Sequence, residues 1–124
     1  MIQKLLAVAI GGSIGAVLRY LIFTIYEKSI TNTFPWATLA VNLIGSFLIG
    51  FLWGILNKFY LAPGYRLFIF VGILGSFTTF STFAFDVFNL SKEGGVKYLI
   101  TYILATNIFG ISLAFLGYYL SRIF

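Results

Sequence analysis

Residues 36 to 57 read WATLAVNLIGSFLIGFLWGILN, a run with no charged residue. A helix crossing the hydrocarbon core of a bilayer needs about 20 largely apolar residues, so Trp36 to Asn57 is long enough to span, and Pro35 just before it is a favourable helix-start residue. The rest of the chain repeats this character. Of 124 residues 60% are hydrophobic and only 9% charged, where soluble domains carry about a quarter charged residues. The length holds at most about four spans with short connections. Residues 1–124 therefore read as one four-helix transmembrane domain, an all-α membrane protein.

Outward from that run, the first span extends from about Ile2 to Tyr26, interrupted by Gln3, Lys4 and Arg19. Its apolar character outlasts the h-region of a signal peptide and three similar spans follow, so it is read as a retained helix. Glu27 to Pro35 is a short polar connection, with Phe34 and Trp36 placed for an interfacial aromatic belt. Lys58 to Tyr65 holds Pro63-Gly64, a turn signal. The third span, Arg66 to about Leu90, contains Gly75-Ser76-Phe77-Thr78-Thr79-Phe80-Ser81-Thr82-Phe83, poor in helix formers, which predicts a break near its middle. After Ser91 to Val96, with Gly94-Gly95, the fourth span runs from about Lys97 to Ser121. Each half of the chain has two spans and no shared motif, too few for an inverted-repeat transporter. A pathway would need more than one chain.

Composition excludes much chemistry. There is no His and no Cys, so the commonest general base, thiolate metal sites and disulfides are absent. With three acids in total, a membrane enzyme is the poorest reading. The net charge of +5 is dispersed singly, unlike a nucleic-acid patch. Lys4, Lys58, Arg66 and Arg122 fall on one side of the spans and Lys28, Lys92 and Lys97 on the other, with Arg19 inside the first span toward that second side. The Lys/Arg bias that sets orientation is nearly absent. Such a chain either inserts both ways or is directed by a single residue of excess.

Two stripes of small and polar residues follow helical spacing: Thr38, Asn42, Ser46, Gly50 and Gly54 in the second span, and Asn107, Gly110, Ala114, Gly117 and Ser121 in the fourth. Small residues let transmembrane backbones approach closely, which accounts for most of both stripes and for Gly11 and Gly15. Asn42 is different. A carboxamide in hydrocarbon costs several kcal/mol without a partner, roughly 2–7, so it either bonds across a helix interface or lines a wet path. The Gly75 to Phe83 stretch, if unwound, must be buried in protein or line a water-filled cavity. Phe80 and Phe83 lie among hydroxyl residues, and a ring edge is electropositive. Asp86 is the only acid deep in a span and Arg19 the deep-lying base. A donor-rich, acid-poor interior favours an anion.

Gly11, Gly12, Gly15, Ala16, Arg19 and Tyr20; then Thr38, Leu39, Val41, Asn42, Leu43, Gly45, Ser46 and Phe47; then Gly75 with Thr78 to Phe83 together resemble, in order, the hallmark stretches of the Fluc (CrcB) fluoride channels. The resemblance covers essentially the whole chain. It implies a fluoride-selective passive channel of a microbial inner membrane, built as an antiparallel dual-topology homodimer with two pathways and a structural Na⁺ at its centre. Carried over by residue, Asn42, Phe80, Phe83, Ser81, Thr82 and Thr38 are expected on the fluoride pathway, Arg19 in the vestibule, and the Gly75 and Thr78 carbonyls on the sodium ion. Ser112 is the candidate hydroxyl of the fourth span, and Asp86, where the family often has Glu, stands at the end of the polar track. The rivals are a proton-coupled small multidrug transporter, which needs a carboxylate in the first span that this chain lacks, and an accessory subunit, which gives no reason for the Gly/Ser/Thr stretch.

Overall fold

The computed structural model describes residues 1–29, 33–93 and 95–124. Every regular element among the described residues is a helix, and none is a strand. Helix α1 is Ile2–Ser29 and α2 is Trp36–Leu56. The third run comprises α3 (Pro63–Arg66), a π-helix (Leu67–Leu74), α4 (Gly75–Phe77) and α5 (Phe80–Lys92), and α6 is Val96–Ser121. Four helical runs, Ile2–Ser29, Trp36–Leu56, Pro63–Lys92 and Val96–Ser121, are long and apolar enough to cross a membrane. The expected connection from Glu27 to Pro35 lies partly outside the described residues, as does Gly94.

The two largest boundary differences from the sequence reading, about three residues each, are at the end of α1 and the start of α3. Helix α1 continues to Ser29 rather than stopping near Tyr26. Pro63, expected in a turn, instead opens α3. A proline at the first helical position loses nothing, because its missing N–H would have no partner there, and its φ already suits a helix.

Packing is interleaved along the chain. Helix α2 lies chiefly against α6, and α1 lies chiefly against the π-helix. The small-residue stripes make these approaches possible. A β-carbon on Gly50 would collide with the Ala114 carbonyl, one on Gly117 with the Phe47 carbonyl, and one on Gly54 with the Ser121 side chain. Gly11 and Gly15 meet the backbone of Phe68 and Ile73 in the same way. Ser76 Oγ lies 2.8 Å from the Gly12 carbonyl and 2.7 Å from that of Gly72, tying the third run to α1. Apolar side chains such as Ile10, Leu104 and Phe115 face outward, as lipid contact requires. Overpacking a tight contact costs about 1–3 kcal/mol. Gly117→Val is therefore expected to lose most of its monodisperse protein on gel filtration, whereas Gly12→Ala, whose added carbon meets nothing within 4 Å, is not.

Basic side chains hold the C-terminal ends of α2 and α6. Lys58 Nζ donates to the Ser121 carbonyl at 2.7 Å. Arg66 donates to Asn57 Oδ1 at 2.9 Å and to the Leu56 carbonyl at 3.4 Å, and lies over the Trp53 ring. Cations at helix C-termini oppose the negative end of the helix dipole.

Candidate functional site

The site grows from two residues that leave helical geometry. Thr78 has φ −84° and ψ 158°, and Thr79 has φ −151° and ψ 114°, between α4 and α5. Peptide groups so released must find other partners. The Thr79 N–H, which a continuous helix would send to the Gly75 carbonyl, donates instead to Asn42 Oδ1 at 2.8 Å. Asn42 Nδ2 returns a bond to the Thr79 carbonyl at 3.1 Å. One carboxamide thus clamps both polar groups of an extended residue, and the pairing fixes its orientation. The Thr82 N–H, which would have met the Thr78 carbonyl, goes to the Thr79 hydroxyl at 3.1 Å, the N-cap of α5. The carbonyls of Gly75 and Thr78 lose these helical partners.

Beside the clamp lies a cavity of about 350 Å³, open on one side and placed midway along the spans. Its polar lining comes from Asn42 and Ser46 of α2, Thr78 and Thr79 of the extended step, and Thr106 and Asn107 of α6. Phe80, Phe83, Phe70, Leu74, Ile49, Gly45 and Gly75 complete it, so no charged residue lines it. The Phe80 and Phe83 rings are 5.6 Å apart and tilted. Phe83 is 8% exposed and packs on Tyr102, whereas Phe80 is 78% exposed.

The cavity therefore gathers Asn42, Phe80, Phe83, Gly75 and Thr78 of the sequence candidates. It does not gather the others. Ser81 and Thr82 join the Thr79 hydroxyl at 3.3 and 3.0 Å, a cluster at the start of α5 outside the lining. Thr38 is buried against the Tyr102 phenol, which donates to Asp86 Oδ2 at 2.9 Å. Arg19 is half-buried on α1 and outside the cavity, and Ser112 is on an exposed face of α6. The α6 hydroxyl that does line the cavity is Thr106, whose buried Oγ1 has no hydrogen-bond partner among the described residues. Its signal was present in the sequence. Tyr102, Thr106 and Gly110 follow each other at intervals of four, one face of a helix, while Ser112 is off that face.

Among the described residues no group of three or more His, Cys, Asp or Glu side chains is placed to hold a metal. The cavity beside the clamp is lined by carbonyl and hydroxyl oxygens and no carboxylate, a ligand type that hard cations accept.

Four membrane-length helices, three of which line an uncharged cavity rich in amide and hydroxyl groups, define a small multi-pass membrane protein with a polar site inside its helical layer. The family model described as "CrcB-like protein, Camphor Resistance (CrcB)" matches residues 6–118, and the chain belongs to this family. It is 42% identical over 119 residues to a protein of Parabacteroides distasonis named fluoride-specific ion channel FluC, covering 96% of this chain and 93% of the relative. Proteins of the same name from Aquifex aeolicus and Thermus thermophilus are 42% and 40% identical over 117 and 116 residues. Each comparison covers 94% of this chain, with 94% of the Aquifex relative and 93% of the Thermus relative.

Proposed function

We propose that the chain is a passive, fluoride-selective channel and not an enzyme, letting F⁻ leave the cell across the inner membrane. The observation that carries this reading is the cavity's lining: neutral donors and ring edges, with no charged side chain. Fluoride is small and tightly hydrated, so its passage requires donors that replace water. Asn42 spends one N–H on Thr79 and retains a second for the cavity. Thr106 holds a buried hydroxyl with no partner among the described residues, and the edges of Phe80 and Phe83 supply positive quadrupole density. HF entering the cell dissociates at neutral pH, and the membrane potential then drives F⁻ outward without an energy-coupling site. The testing experiment is halide efflux from liposomes. Fluoride should leave rapidly and chloride hardly at all, because a larger ion cannot meet all donors of a narrow path at once. Comparable efflux of the two halides overturns the reading.

The working unit of this proposal is an antiparallel homodimer. What supports it is the open side of the cavity: Phe80 is largely exposed and polar lining at that depth would otherwise meet lipid. The extended step at Thr78 and Thr79 is read as the break in the third span. The Gly75 and Thr78 carbonyls, deprived of the Thr79 and Thr82 N–H groups, fit the oxygen-ligand requirement of a structural Na⁺. That ion would fix the breaks of two copies against each other. A C-terminal reporter is expected on both sides of the membrane, and moving two Lys to one end should fix its orientation and lower efflux. A wild-type C-terminus on one side only overturns the antiparallel arrangement.

A further inference from the structure

Lys and Arg are almost evenly divided between the two ends of the helices, but acids are not. Lys4, Lys58, Arg66 and Arg122 share the end that holds the start of α1 and the C-termini of α2 and α6, and no acidic side chain lies there. Glu27, Asp86 and Glu93 all belong to the opposite half, where a cavity is lined by Asp86 and Glu93. At the basic end a polar cavity of about 370 Å³ is bounded by Gly54, Asn57, Lys58, Tyr118 and Arg122. We propose that this cavity binds the phosphate of an anionic phospholipid.

The donors are available and positioned. Lys58 spends one of its three N–H groups on the Ser121 carbonyl, which holds its head at the cavity and leaves two. Arg122 caps α6 and its guanidinium has no hydrogen bond among the described residues. The C-termini of α2 and α6 would by themselves repel an anion. Lys58 and Arg66 are bonded to their last carbonyls and offset that field. The cavity sits where two membrane-length helices end, the depth of the headgroup layer. Phe59, Tyr60 and Tyr65 are exposed at the same end, as residues of a membrane interface are. A phosphate carried on a lipid is delivered to this depth, whereas free phosphate must leave water to reach it.

The test is native mass spectrometry of the full chain in detergent with phosphatidylglycerol and phosphatidylcholine in equal amounts, with inorganic phosphate as a separate arm. Phosphatidylglycerol should be retained in preference. Arg122→Gln should lower that retention by about fivefold, the worth of one basic residue near anionic lipid. Lys92→Gln at the opposite end should leave it unchanged. Lys58 also holds the Ser121 carbonyl, so Arg122→Gln, which breaks no recorded bond, is the deciding variant, with gel filtration to verify its fold. Equal retention of the two lipids, or unchanged retention in Arg122→Gln, overturns the proposal. Displacement of phosphatidylglycerol by inorganic phosphate assigns the cavity to the free anion and overturns the lipid.

Discussion

Asn42→Asp is expected to reduce fluoride efflux from liposomes by at least about a hundredfold while leaving a folded protein on gel filtration. The substitution keeps the volume and one acceptor for the Thr79 N–H, but it removes the donor that meets the Thr79 carbonyl and places a carboxylate on the cavity. Loss of one partner from a buried hydrogen bond costs about 1–3 kcal/mol, enough to weaken the clamp without unfolding four packed helices. The charge dominates the effect on transport. At about 5 Å and an effective dielectric of about 20, a unit charge repels an anion by roughly 3 kcal/mol, or about a hundredfold. Asn42→Ala opens the same clamp without adding charge and should lose less. Equal losses in the two variants would show that the anion does not pass Asn42.

Phe80→Ile should lower efflux by about tenfold, the worth of roughly 1.4 kcal/mol of ring-edge interaction. This variant is the cleaner of the aromatic pair. Phe80 is 78% exposed in the chain, so its ring contributes little to the packing of a single copy. Phe83→Ile should also reduce flux, but it removes the contact with Tyr102 at 5.0 Å and costs stability as well. Phe115→Ile, on an outward face of α6, is the control and should conduct as wild type. If Phe80→Ile and Phe83→Ile both conduct at the wild-type rate, the rings are packing and the pathway lies elsewhere.

The four spans were legible because length and apolarity alone decide them, and the glycine stripes because small residues at helical spacing have one main use. The site was legible in part. Asn42 stood out as a carboxamide in hydrocarbon, and both readings of it proved compatible: it bonds across a helix interface and it lines the cavity. Its partner was hidden, because Thr79 lies 37 residues away and nothing local encodes the pairing. Ser81 and Thr82 read as a hydroxyl track, yet a Thr at the N-cap competes for neighbouring hydroxyls and amides, and their roles in one chain are local. Thr106 lines the cavity and Ser112 does not, because Thr106 shares a helix face with Tyr102 and Gly110 and Ser112 lies off it. The π-helix had no visible signal, since the run Leu67–Leu74 is apolar throughout and periodicity cannot separate two closely related windings.

The interleaved pairing of α1 with the third run and of α2 with α6 has a consequence for synthesis. Neighbouring spans touch each other far less than alternate ones, so a nascent chain that has just delivered α2 does not yet hold that helix's main partner. The last residues of α6 follow Leu56 by more than sixty positions. At about 5–20 residues per second, the glycine stripe of α2 waits several seconds for α6, and Asn42 waits about 2–7 seconds for Thr79. During that interval the membrane-insertion machinery, or the lipid itself, must accommodate a carboxamide whose native partners are still being made.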